Sequence, residues 1–344
     1  MTENSEMTVA VPTDESMGSS GPATAQTIPH SQADVAQTVE QPALKRVVSV
    51  SIGSSTRDHS VRTELLGIPF EISRRGTDGD LKKAKALIQE LDGQVDAIGL
   101  GGLDIYVYSQ TKRYAFRDGL KLLKLAQKTP IVDGSGLKNT LERETIRTLA
   151  RENLIQLKDR KVLMVCAMDR FGMAEALEEA GAKVTYGDAI FALGVDEPML
   201  SLEELAVKAD KLLPDICKMP ISMVYPTGSK QTAIEPTPMT DKYYQAADII
   251  AGDFLFIRKH LPDRLEGKTI ITNTVTSRNL DELRDRGVSC LATTTPEFNG
   301  RSFGTNVMEA VMLAILGKNW EEVKPEDYLD LIKRLNFRPR IVKF

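Results

Sequence analysis

The feature that most constrains the fold is a series of six short apolar runs, rich in β-branched residues, in the second half of the chain. They lie at 161–166, 183–186, 221–225, 248–251, 268–272 and 288–292. Segments with helical periodicity separate many of them. Short buried strands that alternate with helices are typical of a doubly wound parallel sheet. We therefore predict a Rossmann-like, dinucleotide-binding α/β domain at residues 151–304.

A smaller α/β domain of the substrate-binding type is predicted ahead of this sheet, at residues 45–150. Strand-like runs at 47–52, 95–100 and 130–133 alternate with helical periodicity at 80–91 and 142–153. The pattern at 105–116 is typical of a hairpin. Residues 305–344 open with an apolar helix and are predicted to form a C-terminal helical return segment.

Residues 1–44 differ in composition from everything that follows. They hold six acidic residues and no aromatic residue, and the first basic residue of the chain is Lys45. Such a segment cannot bury enough apolar surface to offset its ordering entropy, so we predict a disordered acidic tail. The net charge of −4 belongs to this tail, because the remainder carries +2. A nearly neutral body without basic-aromatic clusters argues against nucleic acid as a partner.

The cysteine and histidine counts bear on the compartment and on metals. Cys166, Cys217 and Cys290 form no CxxC pair, which indicates reduced thiols and a cytoplasmic protein. The three histidines are scattered, so we expect no metal site. No apolar run approaches the roughly 18 residues of a membrane span, and we expect no membrane partner.

The first crossover of the second domain is the candidate cofactor site. A dinucleotide fold places G-x-G-x-x-G there, followed about 20 residues later by an acid for the ribose. Here the three glycine positions hold Ala167, Asp169 and Gly172, and Asp188 supplies the acid. Asp169 would place a carboxylate beside the phosphates, whereas Arg170 could bind them. Asp169 as a helix cap and Asp188 as a turn residue are the alternatives.

The complete cofactor set that we predict adds neighbours of this loop and residues after two later strands. The segments 272–278 and 293–297 follow strands of the same sheet and are expected to flank the nicotinamide side. The predicted cofactor-binding residues are Ala167, Asp169, Arg170, Phe171, Gly172, Asp188, Thr274 and Thr293. Cys166, just before the loop, is interpreted as a packed small hydrophobic residue in preference to a nucleophile.

Four runs of the chain resemble a group of bacterial sequences called quinate 5-dehydrogenase-like. The runs are GSSTRDH at 53–59, RRGTDGD at 74–80, ELDGQVDAIGLGGLD at 90–104 and VDGSGLKNTLER at 132–143, and the resemblance extends over about residues 45–344. It implies a shikimate/quinate dehydrogenase-like architecture and NAD(P)-dependent oxidation of a cyclitol carboxylate. The N-V-T-x-P-H-K and N-T-D stretches of shikimate-type enzymes are absent, and Lys138 is only a loose analogue of their lysine.

Polar loops after the strands of the first domain supply the candidate substrate and catalytic residues. Ligands in open α/β sheets collect beyond the carboxyl ends of strands. For substrate binding we predict Ser54, Ser55, Arg57 and Thr77, with Arg57 on a carboxylate. Simple turn chemistry is the alternative for each loop.

For catalysis we predict Lys138 with Asp133 or Asp104 as the acid/base pair. Oxidation of an alcohol needs a base, and a desolvated lysine has a lowered pKa. A solvated loop lysine is the alternative for Lys138.

Two functions from different classes follow. The leading hypothesis is an oxidoreductase that uses NAD, with NADP less favoured, on a small hydroxy or keto acid. The alternative is a non-catalytic ligand sensor or scaffold with a degenerate Rossmann fold. The expected partner is a small anionic molecule, and a homodimer is left open.

Overall fold

The computed structural model describes residues 42–110, 112–224, 233–295, 297–298 and 301–344, with backbone alone at 221–222, 297–298 and 301–302. The predicted tail 1–44 lies outside this part of the chain except for its last three residues. No helix among the described residues has the length and apolar character needed to cross a membrane.

Fifteen strands are found in the described part of the chain. They are β1 (Lys45–Ser51), β2 (His59–Leu65), β3 (Ile68–Gly76), β4 (Ala97–Gly101), β5 (Tyr106–Ser109), β6 (Lys112–Ala115), β7 (Ile131–Val132), β8 (Lys161–Met164), β9 (Lys183–Tyr186), β10 (Ile249–Gly252), β11 (Thr269–Thr272), β12 (Cys290–Thr293), β13 (Glu297–Phe298), β14 (Arg301–Ser302) and β15 (Arg340–Lys343).

Twelve α-helices accompany these strands in the same part of the chain. They are α1 (Leu81–Leu91), α2 (Arg117–Leu123), α3 (Ser135–Arg151), α4 (Phe171–Glu179), α5 (Asp188–Leu193), α6 (Leu202–Ile216), α7 (Ile221–Val224), α8 (Pro238–Ala246), α9 (Phe254–Lys259), α10 (Ser277–Asp285), α11 (Thr305–Leu316) and α12 (Pro325–Arg334).

The first sheet has five strands in the order β2-β3-β1-β4-β7. All its pairings are parallel except the β2–β3 hairpin, and Val47 on the central strand faces Ile72 on one side and Ala97 on the other. The hairpin turns at Leu66 and Gly67, which both have positive φ. The predicted hairpin at 105–116 is confirmed as the separate β5–β6 pair.

The second sheet has six strands in the order β15-β12-β11-β10-β8-β9. Ile250 of β10 faces Leu163 and Ile270, and every pairing is parallel except that of β15 with β12. The prediction of a doubly wound parallel sheet that follows a smaller α/β sheet is confirmed. The chain order reverses between β8 and β10, so the carboxyl ends of these strands are the topological switch point.

One predicted strand of this sheet is wrong. Within the run 221–225, residues Ile221–Val224 form the helix α7, and Tyr225 lies outside the described residues. A short apolar run cannot distinguish a strand from a helical turn by periodicity alone, and Pro220 immediately before it suits a helix start. The sixth strand is β15, at the end of the chain.

The C-terminal segment contacts both sheets. Helix α11 is almost entirely buried and packs on β1, β4 and β7, while α12 packs on α3. The close approach of α11 requires Gly99, since a Cβ there would lie 2.7 Å from the carbonyl oxygen of Asn306. We had predicted a helical segment at 305–344. The structure has the helices α11 and α12 there, but the segment ends in the strand β15, which joins the second sheet.

Candidate functional site

A buried ion cluster joins the carboxyl ends of the two sheets. Lys138, in the first turn of α3, places its Nζ 3.4 Å from Oδ2 of Asp104 and 3.3 Å from Oδ2 of Asp169. Asp104 follows β4 and Asp169 follows β8, so the lysine connects loops of both sheets. Its side chain is 9% exposed. The predicted pairing of Lys138 with Asp104 is therefore present in the structure, together with a second carboxylate.

The predicted lowering of the pKa of Lys138 is wrong. Desolvation by burial does lower it, but the Coulombic attraction of Asp104 and Asp169 outweighs burial, and the pKa is raised above its ordinary value. Lys138 is therefore a protonated ammonium group near neutral pH and cannot accept a proton from a substrate hydroxyl. The alternative of a solvated loop lysine is also wrong, since the residue lies in a helix and is buried.

Arg170 is enclosed by internal carboxylates. It forms an ion pair with Glu142 and places Nη2 2.8 Å from Oδ2 of Asp253. Asn273, just after β11, donates its Nδ2 to the same oxygen at 2.8 Å. The side chain is 4% exposed and its guanidinium is held by these internal carboxylates, so its contact with a phosphate stays a prediction.

A side chain of the protein itself binds backbone N–H groups of the loop at 167–172. The backbone N–H groups of Ala167 and Met168 both donate to Oδ1 of Asp188 at 2.9 Å. In a dinucleotide fold the pyrophosphate lies at the second glycine of the loop and at the helix N-terminus, positions that here are Asp169 and the start of α4. Asp188 instead lies beside the first position of the loop, where the protein's own backbone engages its Oδ1, and its ribose role stays a prediction.

The other loop positions serve packing. Phe171 and Ala167 belong to the core beneath the second sheet. Gly172 lies against α3, where a Cβ would collide with the backbone oxygen of Asn139. Asp169 does not cap α4, whose N-cap is Arg170 without a side-chain bond. In the structure, Ala167 and Phe171 pack in the core and Gly172 packs against α3, while their roles in cofactor binding stay predictions.

Asp188 is unusual in its burial. The residue is 6% exposed, and its Oδ2 has no hydrogen-bond partner among the described residues. Burial raises the pKa of its carboxyl to about 6, against the opposing effect of the Ala167 and Met168 N–H groups. It belongs to the first turn of α5, which accounts for its proximity to the loop after β8.

Asp133 has a structural role and not the catalytic one that we predicted. Its Oδ2 accepts from the backbone N–H groups of Ile105 and Tyr106 at 2.5 and 2.9 Å. Its Oδ1 accepts from the N–H and the hydroxyl of Ser135 at 3.0 and 2.6 Å. Both oxygens therefore hold the first turn of α3 and the start of the β5–β6 hairpin.

The predicted substrate loops bind chiefly to each other. Ser55 donates its N–H to Asp78 at 2.7 Å, the Ser54 hydroxyl caps residues 55–57, and the buried Thr77 hydroxyl donates to the Ser51 carbonyl at 3.2 Å. These contacts fit simple turn chemistry. Arg57 is different: desolvation lowers its pKa and the charge of Asp253, in the second sheet, opposes this. Arg57, in a loop of the first sheet, is therefore close enough to Asp253 of the second sheet for their charges to interact.

The two threonines predicted near the nicotinamide differ in exposure. Thr293, at the end of β12, is fully buried and donates its hydroxyl to the Thr295 carbonyl at 3.3 Å. Thr274, after β11, is half-buried. Only Thr274 of this pair retains an exposed surface toward the carboxyl ends of the strands.

A cavity of about 110 Å³ lies beside the loop after β8. Its walls are mostly apolar and come from the β5–β6 hairpin and from α5, α6 and α9. Asp169, Asp188 and Cys166 supply its polar end, and Lys208 also lines it. Ala192 and Leu193 are exposed and border it, so the cavity opens to solvent along α5.

Sequence reasoning found only part of this site. Asp253 directly follows β10 and Asp104 lies three residues after β4, so the rule that placed Asp104 could also have found Asp253. Glu142 lies in the interior of α3, where a charged residue is ordinarily solvated, and nothing in the sequence marks it as buried. The apolar walls come from several separate elements, including α7 through Val224, which no local pattern brings together.

Comparison with known proteins places the chain within a family. No curated protein matches the sequence. Among solved structures, a glucose-galactose binding protein from Geobacillus stearothermophilus has 8% identity and a TM-score of 0.35 over 88% of this chain and 98% of its own. L-tryptophan dehydrogenase from Nostoc punctiforme has 10% identity and a TM-score of 0.33 over 86% and 79%. Scores this low bear on neither fold nor function.

Two family models cover nearly all of the described body. Residues 46–133 match the domain of unknown function DUF8753, and residues 136–344 match the domain of unknown function DUF8754. The boundary between them falls just before α3, whereas we had predicted a boundary after that helix, at 150. Since the second model spans more than half of the 344 residues, the chain belongs to the DUF8754 family.

Proposed function

We propose that this protein binds a small organic molecule in the cavity at the carboxyl ends of β8 and β9, without a dinucleotide in the usual pose. The observation that carries the proposal is the position of Asp188. It is buried and held by the Ala167 and Met168 N–H groups, and it also lines an open, mostly apolar cavity. Concave apolar sites with a few convergent polar groups are typical of small-molecule binding.

The state of the charged residues favours ligand binding over quinate-type oxidation. Hydride transfer from an alcohol needs a base near the hydroxyl, and Lys138 is held as an ammonium group by Asp104 and Asp169. Arg170, the predicted phosphate ligand, is enclosed by Glu142 and Asp253. These contacts support the non-catalytic ligand-binding alternative over an NAD-dependent oxidoreductase.

The proposal is tested by blocking the cavity. Thermal shift with a panel of ring-sized fragments is measured on the full chain and on Ala192→Trp, whose indole would fill the opening beside α5. A ligand at 100 times its Kd stabilises a folded protein by about 2.7 kcal/mol, which corresponds to a shift of about 4 °C for a body of roughly 300 residues. We expect fragments that shift the wild type and not the variant.

Val207→Trp is the matched control, since Val207 is exposed on α6 and does not line the cavity. This control should retain every fragment that the wild type binds. The proposal is wrong if no fragment separates wild type from Ala192→Trp.

A further inference from the structure

The polar end of the cavity determines the charge of its ligand. Asp188 and Asp169 both line this end, and the Oδ2 of Asp188 is buried without a hydrogen-bond partner among the described residues. A buried carboxylate oxygen without a donor is costly. A ligand that brings an N–H donor to this oxygen would remove that cost.

The cations near this end are already engaged. Lys138 binds Asp169 from the α3 side at 3.3 Å, Nε of Arg170 lies 3.7 Å from the same Oδ2, and neither cation lines the cavity. Lys208 is the one cation among the described residues that form the walls. Its Nζ lies 2.8 Å from Oε2 of Glu197 and its side chain is 33% exposed, so it belongs to the opening.

Cys166 adds no positive charge. Its thiol donates to Oδ1 of Asp169 at 3.0 Å, and burial raises the pKa of the thiol well above its ordinary value. The closed end of the cavity thus presents two carboxyl groups and a neutral thiol beneath apolar walls. An anionic ligand head would be repelled there, whereas a cationic head would gain a charge-assisted hydrogen bond.

We infer that the ligand is an organic amine: its ammonium group binds Asp188 and Asp169, and its apolar body, a ring or short branched chain, fills the cavity. This inference rests on the proposed function and specifies its ligand class. It replaces the small anionic molecule that we expected from the sequence. The size is consistent, because an apolar cavity of roughly 150 Å³ takes up benzene and this one measures about 110 Å³ and opens to solvent.

The test uses three probes that share one ring and differ in charge: benzylamine, benzyl alcohol and benzoate. Isothermal titration calorimetry on the full chain should give benzylamine a Kd at least about tenfold lower than that of benzyl alcohol, a difference of about 1.4 kcal/mol. Benzoate should not bind.

Asp188→Asn keeps an oxygen that can accept from the Ala167 and Met168 N–H groups and removes the charge. It should lose the preference for benzylamine over benzyl alcohol. Asp196→Asn removes an exposed carboxylate that pairs with Lys242 outside the cavity, and it should retain the preference.

The possible results separate this inference from the proposed function. Equal binding of amine and alcohol in the wild type, or a preference that survives Asp188→Asn, overturns the inference. In either of these two cases, the proposed function still stands if Ala192→Trp abolishes the binding of the amine and the alcohol. Binding of none of the three probes also overturns the inference, and the fragment panel then decides the proposed function independently. Because the wild-type ranking is decisive by itself, the test does not depend on the folding of any variant.

Discussion

The neighbours of Lys138 determine its protonation state. A lysine desolvated among apolar groups would lose its proton, but here Asp104 and Asp169 lie within 3.4 Å of its Nζ. The ion cluster joins α3 to loops of both sheets, so its contribution is structural. Removing one member of a buried ion cluster leaves the other members as uncompensated buried charges.

We predict that Lys138→Met strongly destabilises the protein. Methionine roughly preserves the length of the side chain and leaves Asp104 and Asp169 without their cation, which typically costs about 3–5 kcal/mol. Urea unfolding measures the loss. The triple variant Lys138→Met/Asp104→Asn/Asp169→Asn removes the lysine together with both of its carboxylate partners, while Arg170 keeps Glu142 and Asp253, and it should recover much of the stability.

Lys112→Met is the surface control, because Lys112 pairs with Asp210 while 62% exposed. It should change stability little. A loss below about 1 kcal/mol in Lys138→Met, the level of an exposed ion pair, would contradict the structural role of Lys138.

At the scale of elements, the N-terminus of α3 is held by carboxylates from other parts of the chain. Glu309 of α11 accepts from the N–H of Gly134 at 2.6 Å and from the hydroxyl of Tyr328 at 2.6 Å. Asp133 accepts from Ser135 in the same turn. The loop before α4 is likewise held by Asp188. Carboxyl groups of the protein itself therefore lie at the start of α3 and in the loop before α4.

Glu309 makes stability depend on pH. Burial raises the pKa of its carboxyl to about 7 from the ordinary 4.5, and the charge of Asp133 adds to this. The unfolded chain therefore loses this proton at lower pH than the folded chain. The free energy of unfolding should fall as pH rises from about 4.5 to about 7, by about 3 kcal/mol from this group.

We predict that Glu309→Gln, which resembles the protonated carboxyl, flattens this dependence. Urea midpoints of wild type and variant, measured from pH 4.5 to 8, isolate the contribution of Glu309 from those of Asp188 and other groups. The variant should gain stability relative to wild type as pH rises. A constant difference across the range would contradict the buried, protonated carboxyl.

Elements were predictable where local pattern and tertiary context agree. Runs such as 161–166 and 268–272 are bounded by turns and rich in β-branched residues, and they form β8 and β11 as expected. Residues Ile221–Val224 of the run at 221–225 form the helix α7, since a short apolar run after a proline fits either state. The strand β15 is recognisable only through its pairing with β12.

The location of the site could be predicted from the sequence, but the contacts and roles of its side chains could not. Strand ends identified Asp104, Lys138 and Asp169, because the topology of parallel sheets brings such loops together. The sequence could not show that Asp188 turns back toward Ala167, or that Glu142 and Asp253 surround Arg170. These contacts depend on side-chain directions across elements that are distant along the chain.

At the scale of the whole molecule, two mostly parallel sheets meet through α3, α11 and the loops at their carboxyl ends. In a dinucleotide fold the second glycine of the loop after the first strand lets the backbone approach the pyrophosphate. Here Asp169 stands at that position, and Asp188 binds the N–H groups of Ala167 and Met168. The molecule therefore combines a doubly wound parallel sheet with two carboxyl groups in the loop region after β8.

The most direct measurement is a calorimetric titration of the full chain with NAD, NADH, NADP and NADPH at millimolar concentration. We predict no saturable binding of any of the four, because an entering pyrophosphate would lie beside the Asp169 carboxylate and close to the buried Asp188 carboxyl group. Saturable binding of any of these nucleotides that is altered by Asp188→Asn would contradict the account and restore the oxidoreductase hypothesis.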